Sequence, residues 1–167
     1  AELVKDSPTK ARLHLRNPDT IAVIALLDLY GPTFYPESCT TVDARYSWAK
    51  LHLEKQVGDT RFRQHFAVHE LEAWILSQPD VLPAAVRKKL PPKAANPESV
   101  NFNEPPALLL DRLYEEATGR SYKKRTYGEE LFRKLDPQLV CEKCPHFRKL
   151  ADDLVELANI AIKSKQE

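Results

Sequence analysis

The chain has 167 residues, 43% of them hydrophobic, which suits one domain with one substantial core. Its 25 lysines and arginines nearly match its 24 aspartates and glutamates, and the net charge of +1 excludes recruitment of nucleic acid by a global positive field, leaving only a local basic patch for that role. No apolar run approaches the ~20 residues of a membrane span, and no secretory signal opens the chain. The cysteines number three, and an odd number in a chain without an export signal indicates reduced thiols. We therefore expect a cytoplasmic protein without a membrane partner.

The first strongly patterned segment is a predicted strand that ends at an acidic residue. Residues 21–27 are all apolar, without the alternation of a half-exposed strand, which predicts an interior strand of a parallel sheet packed between helices. Asp28 follows at the carboxyl end of this strand, where open α/β sheets bind ligands. Asp28 is therefore a candidate site residue; the alternative is an acid in the loop after a core strand.

The segment from Val42 to Val57 predicts an amphipathic helix. Its apolar residues recur at helical spacing, and Gly58 follows as a helix stop. The residues expected to face inward are Tyr46, Ala49, Leu53 and Val57.

A second acidic segment lies where a predicted strand passes into a predicted helix. Residues 66–68 predict a short buried strand, and the helix that follows has an apolar face. Glu70 and Glu72 fall at this junction, where the positive end of a helix favours acids, and this alone could explain either glutamate. We expect His69 to be satisfied by a backbone group.

The functional interpretation makes Asp28, Glu70 and Glu72 catalytic candidates. If both predicted strands belong to one parallel sheet, these carboxylates share its carboxyl edge, and clustered carboxylates repel one another unless a hard cation lies between them. Asp28 and Glu70 are then the metal ligands, for Mg²⁺ or Mn²⁺. Glu70 is preferred because it is nearer the strand end and because helical residues two apart face different ways.

The C-terminal half predicts helices and one basic segment. The predicted helices cover residues 84–90, 107–117 with Leu108, Leu109, Leu113 and, as an option, Tyr114 inward, 128–135, and about 144–162. Cationic and aromatic residues are interleaved between Arg120 and Gly128, and such a segment can contact phosphates and stack bases. The candidate nucleic-acid contacts are Lys123, Lys124 and Arg125; the alternative is a solvated surface.

Cys141, Cys144 and His146 invite a comparison with zinc sites. A structural zinc ion needs four ligands, and the one other thiol is the distant Cys39. We therefore expect no zinc, and we expect Cys144 to pack as a small hydrophobic residue.

Five blocks of the sequence resemble the domain of unknown function family 4276 (DUF4276) in order and in spacing. The resemblance covers roughly residues 20–157. The blocks are Asp28-Leu-Tyr-Gly31, Arg61-Phe62, His69-Glu-Leu-Glu-Ala73, Asn96-Pro-Glu-Ser-Val-Asn101 and Cys144-Pro-His-Phe147.

The resemblance implies both a fold and a function. That family is regarded as Toprim-like, related to the metal-dependent domains of topoisomerases, primases and overcoming-lysogenization nucleases, and its members are often encoded beside ABC-type ATPases in contexts that suggest anti-phage defence. It implies a single α/β domain with a Toprim-like (Rossmann-like), partly parallel sheet flanked by helices in residues 1–80 and a mainly helical part in residues 81–167. It also implies a Mg²⁺-dependent nuclease, with an ABC-type ATPase and nucleic acid as partners.

The sequence departs from that family at two places. Residues 1–19 have no match to the Val-Glu-Gly-x-Thr-Glu-like segment that carries the first Toprim acid, and the second motif, Asp-x-Asp, retains only Asp28. If that segment is absent, the sheet lacks a strand and the site lacks its leading acid. Two other hypotheses therefore stay open: a non-catalytic subunit that binds an ATPase, and a structural protein with a degenerate site.

Overall fold

The computed structural model describes residues 2–29, 34–99 and 104–164. In these ranges, helices and two strands follow one another along the chain. They are α1 (Glu2–Leu15), β1 (Val23–Asp28), α2 (Val42–Val57), β2 (Phe62–Ala67), α3 (Glu72–Ser77), α4 (Ala84–Arg87), α5 (Pro106–Thr118), α6 (Glu129–Phe132), α7 (Pro137–Lys143) and α8 (Pro145–Ser164). Short 3₁₀ segments cover Pro79–Val81, Pro92–Ala95 and Pro97–Ser99, and a π-helical turn covers Lys124–Gly128.

The two strands form a small parallel sheet. β1 pairs with β2 from Val23 opposite Phe62 to Asp28 opposite Ala67, and α2 makes the crossover between them. The predicted α/β class and the parallel pairing are confirmed. β2 is almost completely buried, as expected for a parallel strand that helices cover.

The prediction that residues 21–27 form an interior strand is wrong. The strand begins at Val23, and in the described part of the chain its one sheet neighbour is β2. Ile21 is 51% exposed and Leu26 is 37% exposed. An unbroken apolar run therefore predicted a strand correctly, but it carries no information on how many neighbours cover that strand.

The chain divides into two compact units. The first contains residues 1–67 and 149–167, and the second contains residues 68–148, so the first four residues of α8 belong to the second unit and the rest of α8 to the first.

The first unit is built around α1, α2 and the sheet. All four residues predicted to face inward on α2 are buried, and α2 ends at Gly58, whose left-handed φ of 71° suits a residue without a Cβ. A hydrophobic cluster joins the three elements. Its buried members are Ala11, Leu15, Val57 and Phe62.

The second unit has its hydrophobic core around α5. Leu109 and Leu113 are buried as predicted, whereas Leu108 is 57% exposed and Leu110 takes its place in the core. The helix begins at Pro106, and its buried face runs through positions 109, 110, 113 and 114, which is one stripe of an α-helix.

The predicted helix at 128–135 is confirmed as the shorter helix α6, and the π-helical turn Lys124–Gly128 leads into it. Gly128 lies in this turn against the side chain of Tyr122. A Cβ at position 128 would lie only 2.9 Å from the Tyr122 hydroxyl oxygen, so this position favours glycine.

The last helix, α8, buries Leu150, Leu157 and Ala161, but Leu154 is 50% exposed and Ile160 is 53% exposed. No helix within the described ranges is both long enough and apolar enough to span a membrane.

Candidate functional site

The carboxylates of Glu70 and Glu72 converge on one ammonium group. Lys124 Nζ lies 3.2 Å from Glu70 Oε1 and 3.4 Å from Glu72 Oε2. The expectation that the two glutamates face different ways is wrong, because Glu70 precedes α3 and Glu72 is its first residue, so helical spacing does not relate them. Their side chains are 14% and 7% exposed, whereas that of Lys124 is 54% exposed. The acids are thus shielded and the cation lies on the open side.

The charges of this group act on Lys124. Burial lowers the pKa of Lys124, but the carboxylates of Glu72 and Glu70 outweigh that effect and raise its pKa above the ordinary value. The ammonium therefore stays protonated, and the three side chains together carry one excess negative charge.

Glu70 also holds the start of α5. Its Oε2 accepts a hydrogen bond of 2.9 Å from the backbone N–H of Ala107. The helix begins with Pro105 and Pro106, neither of which has a side-chain oxygen to cap it, so an acid from another segment satisfies the exposed N–H. Helix capping thus accounts for one carboxylate oxygen of Glu70, and Lys124 contacts the other.

Tyr122 is a neutral donor close to the acids. Its side chain is 8% exposed, and its hydroxyl has no hydrogen-bond partner among the described residues. Burial and the charge of Glu72 raise the pKa of Tyr122, so the phenol keeps its proton at neutral pH. A buried hydroxyl of this kind can donate a hydrogen bond to a ligand.

Two further sequence blocks meet at the start of α8. Glu98 accepts hydrogen bonds from the backbone N–H of His146 at 3.1 Å and of Phe147 at 3.4 Å, and its Oε2 lies 2.8 Å from His146 Nδ1. Since α8 begins with Pro145 after Cys144, this is the second proline-led helix whose cap is a distant glutamate.

His69 brings a third block to the same place. Its ring makes a hydrogen bond with the backbone of Glu98, as expected, and burial lowers the pKa of His69. Its φ of 63° lies in the left-handed region, which few residues other than glycine adopt, and its side chain is 2% exposed. Strain of this kind persists only where the surroundings hold it, and it is concentrated at functional turns.

Cys144 is fully buried, and burial raises the pKa of its thiol to about 12. It packs as a small apolar residue, as predicted. Within the described ranges no three or more histidine, cysteine, aspartate and glutamate side chains are grouped so as to hold a metal ion by themselves.

Asp28 lies exposed at the carboxyl end of β1, in register with Ala67. It belongs to the first unit, whereas Glu70 and Glu72 belong to the second, so its sharing of a metal ion with Glu70 stays a prediction. Tyr30, Gly31 and residues 100–103, which carry parts of two sequence blocks, lie outside the described residues.

The three basic candidates divide into two kinds. Lys123, just before the π-helical turn, and Arg125, within it, are exposed. Lys124 lies between them and contacts Glu70 and Glu72. The sequence alone presented all three as one basic cluster.

Sequence reasoning missed Glu98, Tyr122 and the N–H of Ala107 as parts of this site. One signal was present: Pro105-Pro106 and Cys144-Pro145 both open helices without a side-chain oxygen at the cap, which requires an acceptor from elsewhere. Nothing in the local sequence indicates which acid supplies it.

Comparison with known proteins places the chain by its family alone. No curated protein and no solved structure matches it. The model of the family described as "Domain of unknown function (DUF4276)" matches residues 4–155, which is nearly the whole chain. The chain belongs to the DUF4276 family.

Proposed function

We propose that the protein is a metal-dependent, nuclease-like subunit in which Glu70 and Glu72 bind Mg²⁺ or Mn²⁺. The observation that carries this proposal is the convergence of two shielded carboxylates on one cation position, now filled by the ammonium of Lys124. Carboxylate oxygens are the ligands that Mg²⁺ and Mn²⁺ prefer, and Mg²⁺ usually needs only one or two of them, with water completing its shell.

Lys124 is able to give way to a metal ion. Its side chain is half-exposed and flexible, whereas Glu70 is held by the N–H of Ala107 and Glu72 by its place in α3. When bound, the metal ion would polarise a phosphoryl oxygen and activate water. Lys123, Arg125 and a released Lys124 would contact phosphates of the nucleic acid.

Three further parts of the proposal come from the sequence: the first rests on the place of Asp28 at the carboxyl end of β1, and the other two on the family resemblance. Asp28 is proposed as a further metal ligand, an ABC-type ATPase as a partner, and anti-phage defence as the setting. The Toprim-like fold is likewise proposed; its coarse counterpart here is the parallel pair of strands with flanking helices.

The experiment is a metal titration in which the thermal melting temperature (Tm) of the full chain is measured at each metal concentration. We expect Mn²⁺ to raise the Tm, Glu72→Gln to abolish the rise and Asp28→Asn to reduce it, because a ligand that binds only the native state stabilises it. A Tm rise that is equal in wild type and Glu72→Gln would contradict the proposed ligand. Cleavage of single- and double-stranded DNA and RNA with Mn²⁺ then tests the activity.

A second function is favoured by the same ion pairs. Lys124 already compensates the two acids, which is what a structural clamp between α3 and the basic segment requires. The protein would then be a non-catalytic subunit of an ATPase complex. In that case Lys124→Ala lowers the Tm, no divalent cation restores it, and the nuclease assays stay negative.

A further inference from the structure

A polar cleft lies in the first unit, apart from the acids discussed above. One face of α2 supplies Tyr46, Lys50 and Glu54 at successive turns, β2 supplies His65, and α8 supplies residues 149 and 153. The cleft has a volume of about 390 Å³. Pockets for small ligands start at about this size.

A hydrogen-bonded chain of three side chains forms one wall. Tyr46 Oη lies 2.9 Å from His65 Nδ1, and His65 Nε2 lies 2.9 Å from Asp153 Oδ2. The ionised carboxylate only accepts hydrogen bonds, so Nε2 carries the proton, Nδ1 accepts, and the tyrosine hydroxyl donates. Burial of the ring and the charge of Lys50 lower the pKa of His65, which keeps the imidazole neutral at neutral pH.

Cations outnumber carboxylates around this chain. Lys50 Nζ lies 2.6 Å from Glu54 Oε1 and 3.8 Å from Asp153 Oδ2, and Arg63 Nε lies 3.8 Å from the same Asp153 oxygen. Lys149 is the third cation. Two carboxylates thus meet three cations, of which Arg63 pairs with Asp153 from outside the lining of the cleft and Lys50 and Lys149 line it, so one cation is left over.

Lys149 carries this positive charge to the surface. Its Nζ lies 5.5 Å from the centroid of the Tyr46 ring, and it makes no ion pair within the described residues. Beside it the wall turns apolar, with the tyrosine ring and the side chain of Leu51, which is 68% exposed. A ligand here meets a positive charge at one end and an apolar surface at the other.

We propose that this cleft binds a small phosphate monoester of about the size of a mononucleotide. Lys149, the lining cation without an ion pair among the described residues, favours an anion, the volume limits it to a small molecule, and the exposed apolar wall accommodates an organic body attached to the phosphate. Lys149 contacts the phosphate directly. The Tyr46–His65–Asp153 chain holds α2, β2 and α8 together around it.

The test is calorimetric titration of the full chain with inorganic phosphate, with AMP and with uncharged adenosine, without divalent cations so that the metal proposal is not involved. We expect AMP to bind more tightly than phosphate and adenosine not to bind. Lys149→Ala should weaken AMP binding about tenfold, which is the effect of losing one charged hydrogen bond. Lys55→Ala, which removes an exposed lysine of α2 outside the cleft, should not change it.

The exposed cations of the basic segment are the alternative contact for a phosphate, and a second control separates the two. The double variant Lys123→Ala/Arg125→Ala should keep wild-type affinity for AMP. The proposal is overturned if AMP does not bind, if Lys55→Ala weakens binding as much as Lys149→Ala, or if the double variant loses binding. Adenosine binding as tightly as AMP would overturn it too, because the charge would then play no part.

Discussion

At the scale of single residues, Glu70 and Glu98 each accept hydrogen bonds from backbone N–H groups at the start of a helix. Glu70 caps α5 with one oxygen and pairs with Lys124 through the other, and Glu98 caps α8. Both helices start with proline, which fits the first helical position but offers no side-chain acceptor. A glutamate in a motif can therefore be retained for stability alone, so its role needs a measurement.

Replacing Glu98 with alanine should lower the free energy of unfolding by about 1–3 kcal/mol. Two backbone N–H groups and the His146 ring lose their acceptor in a site where Glu98 is only 9% exposed. Glu98→Gln keeps one acceptor oxygen and should lose about half as much. Urea unfolding measures both, with Glu142→Ala on α7 as an exposed control that should be neutral; a neutral Glu98→Ala would contradict the capping role.

The buried histidines should make stability fall in mild acid. The pKa of His65 is lowered from 6.5, chiefly by burial, so the unfolded chain takes up its proton first as the pH falls. Stability is then fully present above about pH 6.5 and is lost as the pH falls from there towards the lower folded pKa. His65→Gln should shrink this slope without removing it, because the pKa of His69 is lowered too.

The measurement is urea unfolding between pH 5 and pH 8, with His14→Gln in α1 as the control. Wild type and the control should lose stability in parallel below about pH 6.5. A slope unchanged in His65→Gln would mean that burial and the charge of Lys50 do not lower the pKa of His65 in the folded chain.

At the scale of elements, the basic segment is shaped by one close contact. The π-helical turn Lys124–Gly128 brings the backbone of Gly128 against the buried Tyr122, and this turn carries Lys124, which contacts both acids. The segment is therefore more than a solvated run of charges. Its backbone path and the ion pairs depend on each other.

Gly128→Ala should cost about 1–3 kcal/mol of stability, because its Cβ would lie 2.9 Å from the hydroxyl oxygen of a buried ring. Tyr122→Phe removes that oxygen, which has no hydrogen-bond partner among the described residues, and should be close to neutral. The double variant should recover most of the loss, since the next ring atom is 3.8 Å away. Purely additive effects in this double-mutant cycle would contradict the contact.

Helices were more predictable from the sequence than the sheet and the sites. The period of α2 identified all four buried residues, because a helix that packs on one side repeats every 3.6 residues. The apolar run of β1 identified a strand but not its exposure, since neighbours come from elsewhere in the chain. The cleft could not be predicted, because Tyr46, His65 and Asp153 meet only in the folded unit.

At the scale of the whole molecule, the candidate chemistry is divided between two compact units. The second unit contains Glu70, Glu72 and Lys124 together, and the first contains Asp28 and the cleft around His65. The acids near strand ends were predictable as candidates from their position after apolar segments. The ammonium between them was not, because residues 70 and 124 are brought together by the tertiary fold.

The central claim is that Glu70 and Glu72 form a divalent-cation site that Lys124 occupies in the absence of metal. Lys124→Ala tests it most directly, because it removes the competing ammonium and leaves the carboxylates in place. The matched control is Lys123→Ala, which removes the neighbouring exposed charge.

The measurement is the Tm of wild type, Lys124→Ala and Lys123→Ala across a Mn²⁺ titration. Without metal, Lys124→Ala should melt lower than wild type, because two shielded carboxylates then repel each other. Mn²⁺ should raise its Tm by at least about 2 °C more than it raises that of wild type or Lys123→Ala. A Tm of Lys124→Ala that Mn²⁺ leaves unchanged would contradict the metal site and establish the three side chains as a structural ion pair.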